Sequence, residues 1–116
     1  MNLNPIILGL RDVVGVPVEP DIYLGEEERY IVFTYEDERA SWKADNNVLA
    51  DTASMQVSYY CPYNYDYMAD KEKIRDYLEE KGFVGIEIQS WIEDAVKGVK
   101  KQRHTVFTAE YTERRK

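Results

Sequence analysis

Histidine and cysteine each occur once in this chain, as His104 and Cys61, and that scarcity excludes more chemistry than any motif suggests. A structural zinc site draws four ligands from Cys and His, and a catalytic one usually takes at least two His, so one of each serves neither. A lone thiol makes no internal disulfide and suits a reducing compartment. As nucleophile and base, Cys61 and His104 would have to converge from two strand-like segments. A buried cysteine and an exposed histidine are expected instead. The six glycines form neither a phosphate-binding loop nor a dinucleotide fingerprint. No apolar run is long enough to span a bilayer, and the opening "MNLNPIILGLRD" lacks a basic start and breaks at Arg11 and Asp12. Neither a signal peptide nor a membrane segment is therefore expected, and a soluble intracellular domain is. No repeat or composition shift divides the chain, and 116 residues suit one domain over 1–116.

Charge is plentiful but lopsided. The net charge is −7, yet residues 1–96 hold 20 acidic and 8 basic side chains, whereas residues 97–116 hold 2 and 7. An acidic body binds nucleic acid poorly, because phosphate attraction dominates such affinity. The carboxylates come in runs, "GEEER" and "YEDE", and adjacent residues do not converge on one point as an acid and base must. "KADNNVLAD" lacks the glycine and the terminal glutamate of a calcium loop. No catalytic residue, metal ligand or cofactor site is expected, and the chain reads as a non-enzyme.

The apolar pattern outlines the elements. Leu3, Ile6, Ile7, Leu10, Val13 and Val14 line one face of a short helix over 2–15, with Asn4 as cap, Pro5 in the first turn and Gly15 at the end. "VPVEP" reads as an extended linker. "YIVFTYEDE" predicts a buried strand emerging into solvent, and "ERASWKADNN" a partner strand closed by an Asp45-Asn46-Asn47 turn. Ala53, Met55, Val57, Tyr59 and Cys61 alternate with Ser54, Gln56, Ser58 and Tyr60, which predicts a strand with one buried face. Pro62 stops that strand, and Asn64 or Asp66 is placed to cap a helix near 66–81. Its stripe is Tyr67, Ile74, Tyr77 and Leu78, and Gly82 closes it. "FVGIEIQSWIE" and "RHTVFTAEYTE" supply two more strands, joined through the basic "DAVKGVKKQ" as an exposed hairpin tip. The fold class is α+β, an antiparallel sheet of four to five strands with two helices packed on one face.

Tyrosine is the one surplus, with ten in the chain and five between Tyr59 and Tyr67. Stacking on single-stranded nucleic acid needs rings interleaved with cations, and the nearest charges in sequence are Asp66 and Asp70. Tyr59 and Tyr67 are expected beneath the helix. Tyr60, Tyr63 and Tyr65 line the joint or meet a partner, since tyrosine is enriched at interfaces. The basic stretch Lys97, Lys100, Lys101 and Arg103 is the other expected contact, against an acidic patch of a neighbouring subunit or partner.

The order of elements carries a resemblance. A short N-terminal helix, a Pro-containing link, "YIVFTYED", "ADTASMQVSYYC", "DKEKIRDYLEE" and "HTVFTAEY" run in sequence as in the tail-completion (tail terminator) proteins of long-tailed bacteriophages and prophages. The segments that match are Ile31–Tyr35, Met55–Tyr60 and the stripe Ile74–Leu78, whereas "GEEER" and Lys97–Arg103 have no counterpart. The resemblance implies a non-enzymatic virion assembly protein, a tail terminator or head-tail joining component. Such a subunit forms a self-associated ring, commonly hexameric, with tail-tube and head-connector proteins as partners. It implies no sequence-specific nucleic-acid binding, no membrane and no cofactor. The implied location is the host bacterial cytoplasm during assembly, then the virion tail or neck. Two other readings stand beside it: an acidic inhibitor that imitates DNA or another small protein-binding module, and a small-ligand enzyme.

Overall fold

The computed structural model describes residues 1–95 and 100–115. In chain order it contains α1 (Asn4–Leu8), α2 (Leu10–Val14), β1 (Val18–Pro20), β2 (Tyr30–Ala44), β3 (Asn47–Pro62), α3 (Met68–Glu80), β4 (Val84–Glu93) and β5 (Gln102–Arg114). The strands form one sheet in the order β1-β2-β3-β5-β4. The fold is α+β as expected, but the sheet is mixed. Four strands pair antiparallel, while β1, the segment read as a linker, runs parallel to β2 with Val18 opposite Ile31. Three residues carry no alternation to read, and their partner lies outside their own segment.

The helices cover one face. Ile31 and Phe33 of β2, Ala53, Met55, Val57, Tyr59 and Cys61 of β3, and Phe107 and Ala109 of β5 point to it. They pack with Leu3, Ile7 and Leu10 from the N-terminal helices and with Ile74 and Leu78 of α3. Each fully buried Ile, Leu or Phe of this set contributes about 1.5–3 kcal/mol. The helix expected over 2–15 is two short pieces hinged at Gly9. A Cβ there would stand 2.1 Å from the Tyr77 hydroxyl, which donates to the Ile6 carbonyl at 2.6 Å. The glycine that weakens the helix is thus what lets α3 approach it. Asn4 lies inside the first turn instead of capping it. The Tyr35 hydroxyl takes the Leu3 N–H at 2.7 Å and donates to Asn4 Oδ1. At α3, Asp66 accepts the Met68 N–H at 3.1 Å. Gly82, at φ 100°, closes the helix with the Phe83 N–H on the Leu78 carbonyl.

"ERASWK" is no separate strand. It continues β2, which runs unbroken for 15 residues and turns through Asp45 and Asn46, both at positive φ, directly into β3. Such a two-residue turn with both central φ positive matches the twist of a hairpin. The charged run Glu36–Arg39, read as a strand emerging into solvent, is exposed at every position and stays within β2. The far half of β2 and the start of β3 therefore form an arm extending past the helices. Fifteen residues at about 3.3 Å span roughly 50 Å, close to the molecule's longest dimension of 54 Å. The hairpin tip expected in "DAVKGVKKQ" includes 96–99, which lie outside the described residues; Glu93 and Gln102 pair at its base.

Candidate interaction surfaces

On the face away from the helices, the register aligns one ring per strand. Tyr30, Tyr60, His104 and Trp91 follow one another across β2, β3, β5 and β4. Tyr23, from the loop before β2, adds a fifth. Ring centroids lie 4.4 Å (Tyr23–Tyr30), 4.8 Å (Tyr30–Tyr60), 4.1 Å (Tyr60–His104) and 4.7 Å (His104–Trp91) apart. The first three of these pairs are stacked, so the π faces inside the row are taken up within it, while Trp91, tilted at its end, stays exposed. A row of this kind stiffens the sheet.

His104 is 7% exposed, contrary to the expected exposed histidine, because the rings on either side wall it in. Burial pushes its pKa down, opposed by Glu93, whose Oε2 lies 3.3 Å from Nδ1. Cys61 faces the core, where burial pushes its thiol pKa up. It pairs with Arg103 and His104 with Tyr60, so Cys61 and His104 lie on opposite faces of the sheet and form no catalytic couple.

Tyr59 is fully buried beneath α3 and donates to Asp70 Oδ2. Arg29 Nη2 lies 2.8 Å from the same oxygen, and Arg29 Nε donates to the Tyr59 hydroxyl at 3.1 Å. Burial and the Asp70 carboxylate hold the Tyr59 phenol far above its ordinary range. These three groups satisfy one another and form a structural tie between the loop, the sheet and α3. Around the tyrosine-rich joint the fold brings cations that the sequence neighbourhood lacks. Arg29 lies 4.6 Å from the Tyr65 ring centre, Arg103 4.5 Å from Tyr67 and Lys101 5.5 Å from Tyr63.

The expected contact residues do not form one patch. Tyr60 sits in the aromatic row. Tyr63 and Tyr65 are exposed at the joint, whereas Arg103 turns to the helix side and donates to Ser90 Oγ at 3.0 Å. Lys100 is exposed, with Nζ 3.3 Å from Glu28 Oε1 of the same chain. Lys97 lies outside the described residues.

Three apolar surfaces escape a sequence reading. Ile22 and Leu24 are 63% and 84% exposed beside the exposed Glu26, Glu27 and Glu28. Trp42 and Leu49 are exposed on the arm, and Val84, Trp91 and Ile92 on the edge strand β4. Ile22 and Leu24 flank a tyrosine in a loop and Trp42 stands alone in a charged segment, so neither gives a periodic signal, and Val84, Trp91 and Ile92 belong to a segment that reads as a strand without showing that β4 is the sheet edge. Among the described residues no group of three or more His, Cys, Asp or Glu is placed to hold a metal. No helix of the described residues is long and apolar enough to cross a membrane. Comparison with known proteins finds no family model that matches the chain and no curated protein that matches its sequence.

Proposed function

We propose that this chain is a non-enzymatic assembly subunit that works as a homo-oligomeric ring in a phage or prophage virion, as tail terminator or head-tail joining component. One observation carries the reading. A single helix-packed face stabilises the fold, while apolar side chains stand exposed at separate places, on the loop at Ile22 and Leu24, on the arm and on the β4 edge. The neighbouring exposed residues Ile22 and Leu24, and separately Trp42 on the arm, are surfaces that a subunit with several protein neighbours would offer them. Ring closure in particular requires two different complementary surfaces on each copy. The partners of such a ring are its own copies, the tail tube and the head connector.

Light scattering at micromolar concentration with negative-stain imaging tests the proposal, and ring-sized particles are expected. A chain that stays monomeric at high micromolar concentration, alone and with tail-tube protein, would overturn it.

A further inference from the structure

β4 ends the sheet on one side, and among the described residues no strand pairs with its outer edge. A strand of 10 residues left open in this way presents a row of backbone N–H and C=O groups without sheet partners. Native sheets guard such rows with proline, lysine, dense charge, bulges or a covering element. The opposite side of this sheet has that protection. β1 covers the start of β2, and beyond Phe33 the edge carries Glu36, Asp37, Glu38, Arg39 and Lys43 with repeated register shifts. β4 has no proline, lysine or arginine, and its register with β5 shifts only between Val84 and Glu87.

Register also sets which side chains border the open edge. Ile88 opposite Phe107 puts Ile86, Ile88, Ser90 and Ile92 on the helix side, whereas Trp91 opposite His104 puts Glu87, Gln89 and Trp91 on the other. Trp91 and Ile92 are each 41% exposed, so the edge is apolar on both faces at the same end. Glu87 and Glu93 are the only charged side chains on β4, and carboxylates set directly opposite them would repel. A second β4, antiparallel and turned about a two-fold axis beside Gln89, keeps both helix layers on one side and avoids that clash. Ile86 then meets Ile92 of the second copy, Glu87 meets Trp91, and Ile88 meets Ser90. Centring on Ser90 sets Glu87 against Glu93. Centring on Ile88 sends Trp91 and Ile92 to the distorted stretch at Val84 and Gly85, where φ of Gly85 is 63°.

We infer that two copies of this chain pair β4 to β4, antiparallel and centred on Gln89, so that one sheet runs through both. The contact is isologous and closes on itself as a dimer. It goes beyond the ring reading, which needs two different surfaces on each copy, and does not depend on it.

Single cysteines read the register. Gln89→Cys faces its own counterpart across the axis, where cross-strand Cα distances of about 4.5–5.5 Å lie within the roughly 4.4–6.8 Å a disulfide spans. Glu87→Cys, exposed on the same face, meets Trp91 instead. The native Cys61 is buried and does not compete. Under mild oxidation Gln89→Cys is expected to form a covalent dimer about tenfold faster, or more, than Glu87→Cys. Ile92→Lys sets a charge against Ile86 of the second copy. Its dimer dissociation constant, measured by sedimentation velocity, is expected to rise about tenfold or more over wild type, with folding checked by circular dichroism. Equal cross-linking at the two positions, or an Ile92→Lys dimer as tight as wild type, would overturn the inference. So would a wild-type chain that is monomeric at high micromolar concentration, which would leave the edge to a strand of another protein. If Ile92→Lys does not fold, the cysteine comparison decides alone, because Glu87 and Gln89 are both exposed. Rings that form without the Gln89 cross-link overturn this inference and leave the assembly reading standing; a cross-linked dimer that builds no ring does the reverse.

Discussion

Removing the Asp70 carboxylate puts the tie between loop, sheet and α3 to the test. Asp70 is 6% exposed and lies in the first turn of α3, where a negative charge also suits the helix dipole. In Asp70→Ala the Tyr59 hydroxyl, fully buried, loses its acceptor, and a hydrogen bond to a charged group is worth about 1.5–3 kcal/mol. Arg29 also loses its ion partner, but its side chain is 30% exposed and recovers part of the loss by hydration. Together these give a destabilisation of roughly 2–4 kcal/mol. At about 4 °C per kcal/mol for a chain of this size, the melting temperature falls by roughly 8–16 °C.

Tyr59→Phe keeps the ring packing and the Arg29–Asp70 pair, and is expected to cost less, about 1–2 kcal/mol. The double variant then loses less than the sum, with a coupling of about 1 kcal/mol. Urea denaturation followed by tryptophan fluorescence measures all three. A loss under about 0.5 kcal/mol for Asp70→Ala would show that the tie contributes nothing and that helix packing alone positions α3.

Gly9→Ala is expected to destabilise by about 1–3 kcal/mol despite alanine's better helix propensity, because its Cβ meets the Tyr77 hydroxyl. Thermal melts of Gly9→Ala in a Tyr77→Ala background should show that cost removed. The folded pKa of His104 lies below its ordinary 6.5, so the folded state takes up its proton less readily than the unfolded one. Stability is therefore whole above that pH and declines as pH falls below it. Urea midpoints between pH 7.5 and 5.5 should flatten in His104→Phe, and an unchanged slope would assign the effect to other groups. Cys61 is fully buried with a raised pKa, so thiol reagents should label it at the rate of unfolding; rapid labelling of the native protein would contradict its placement.

Local pattern determined much of this molecule. The alternation from Ala53 to Cys61 announces its buried face, and Ile74 with Leu78 announces the inner stripe of α3. Gly15 and Gly82 mark the helix ends. These signals are legible because side-chain direction follows from position along one element, with a period set by backbone geometry. The tertiary structure decided everything that depends on which elements meet. It made "VPVEP" a parallel strand, joined the charged "YEDERASWK" into one long arm, and carried Arg29, Lys101 and Arg103 to the tyrosines of the joint. It also buried His104 between rings from two other strands and left Ile22, Leu24 and Trp42 in solvent. Those outcomes depend on pairings between residues far apart in the chain, and no single stretch of sequence contains both partners.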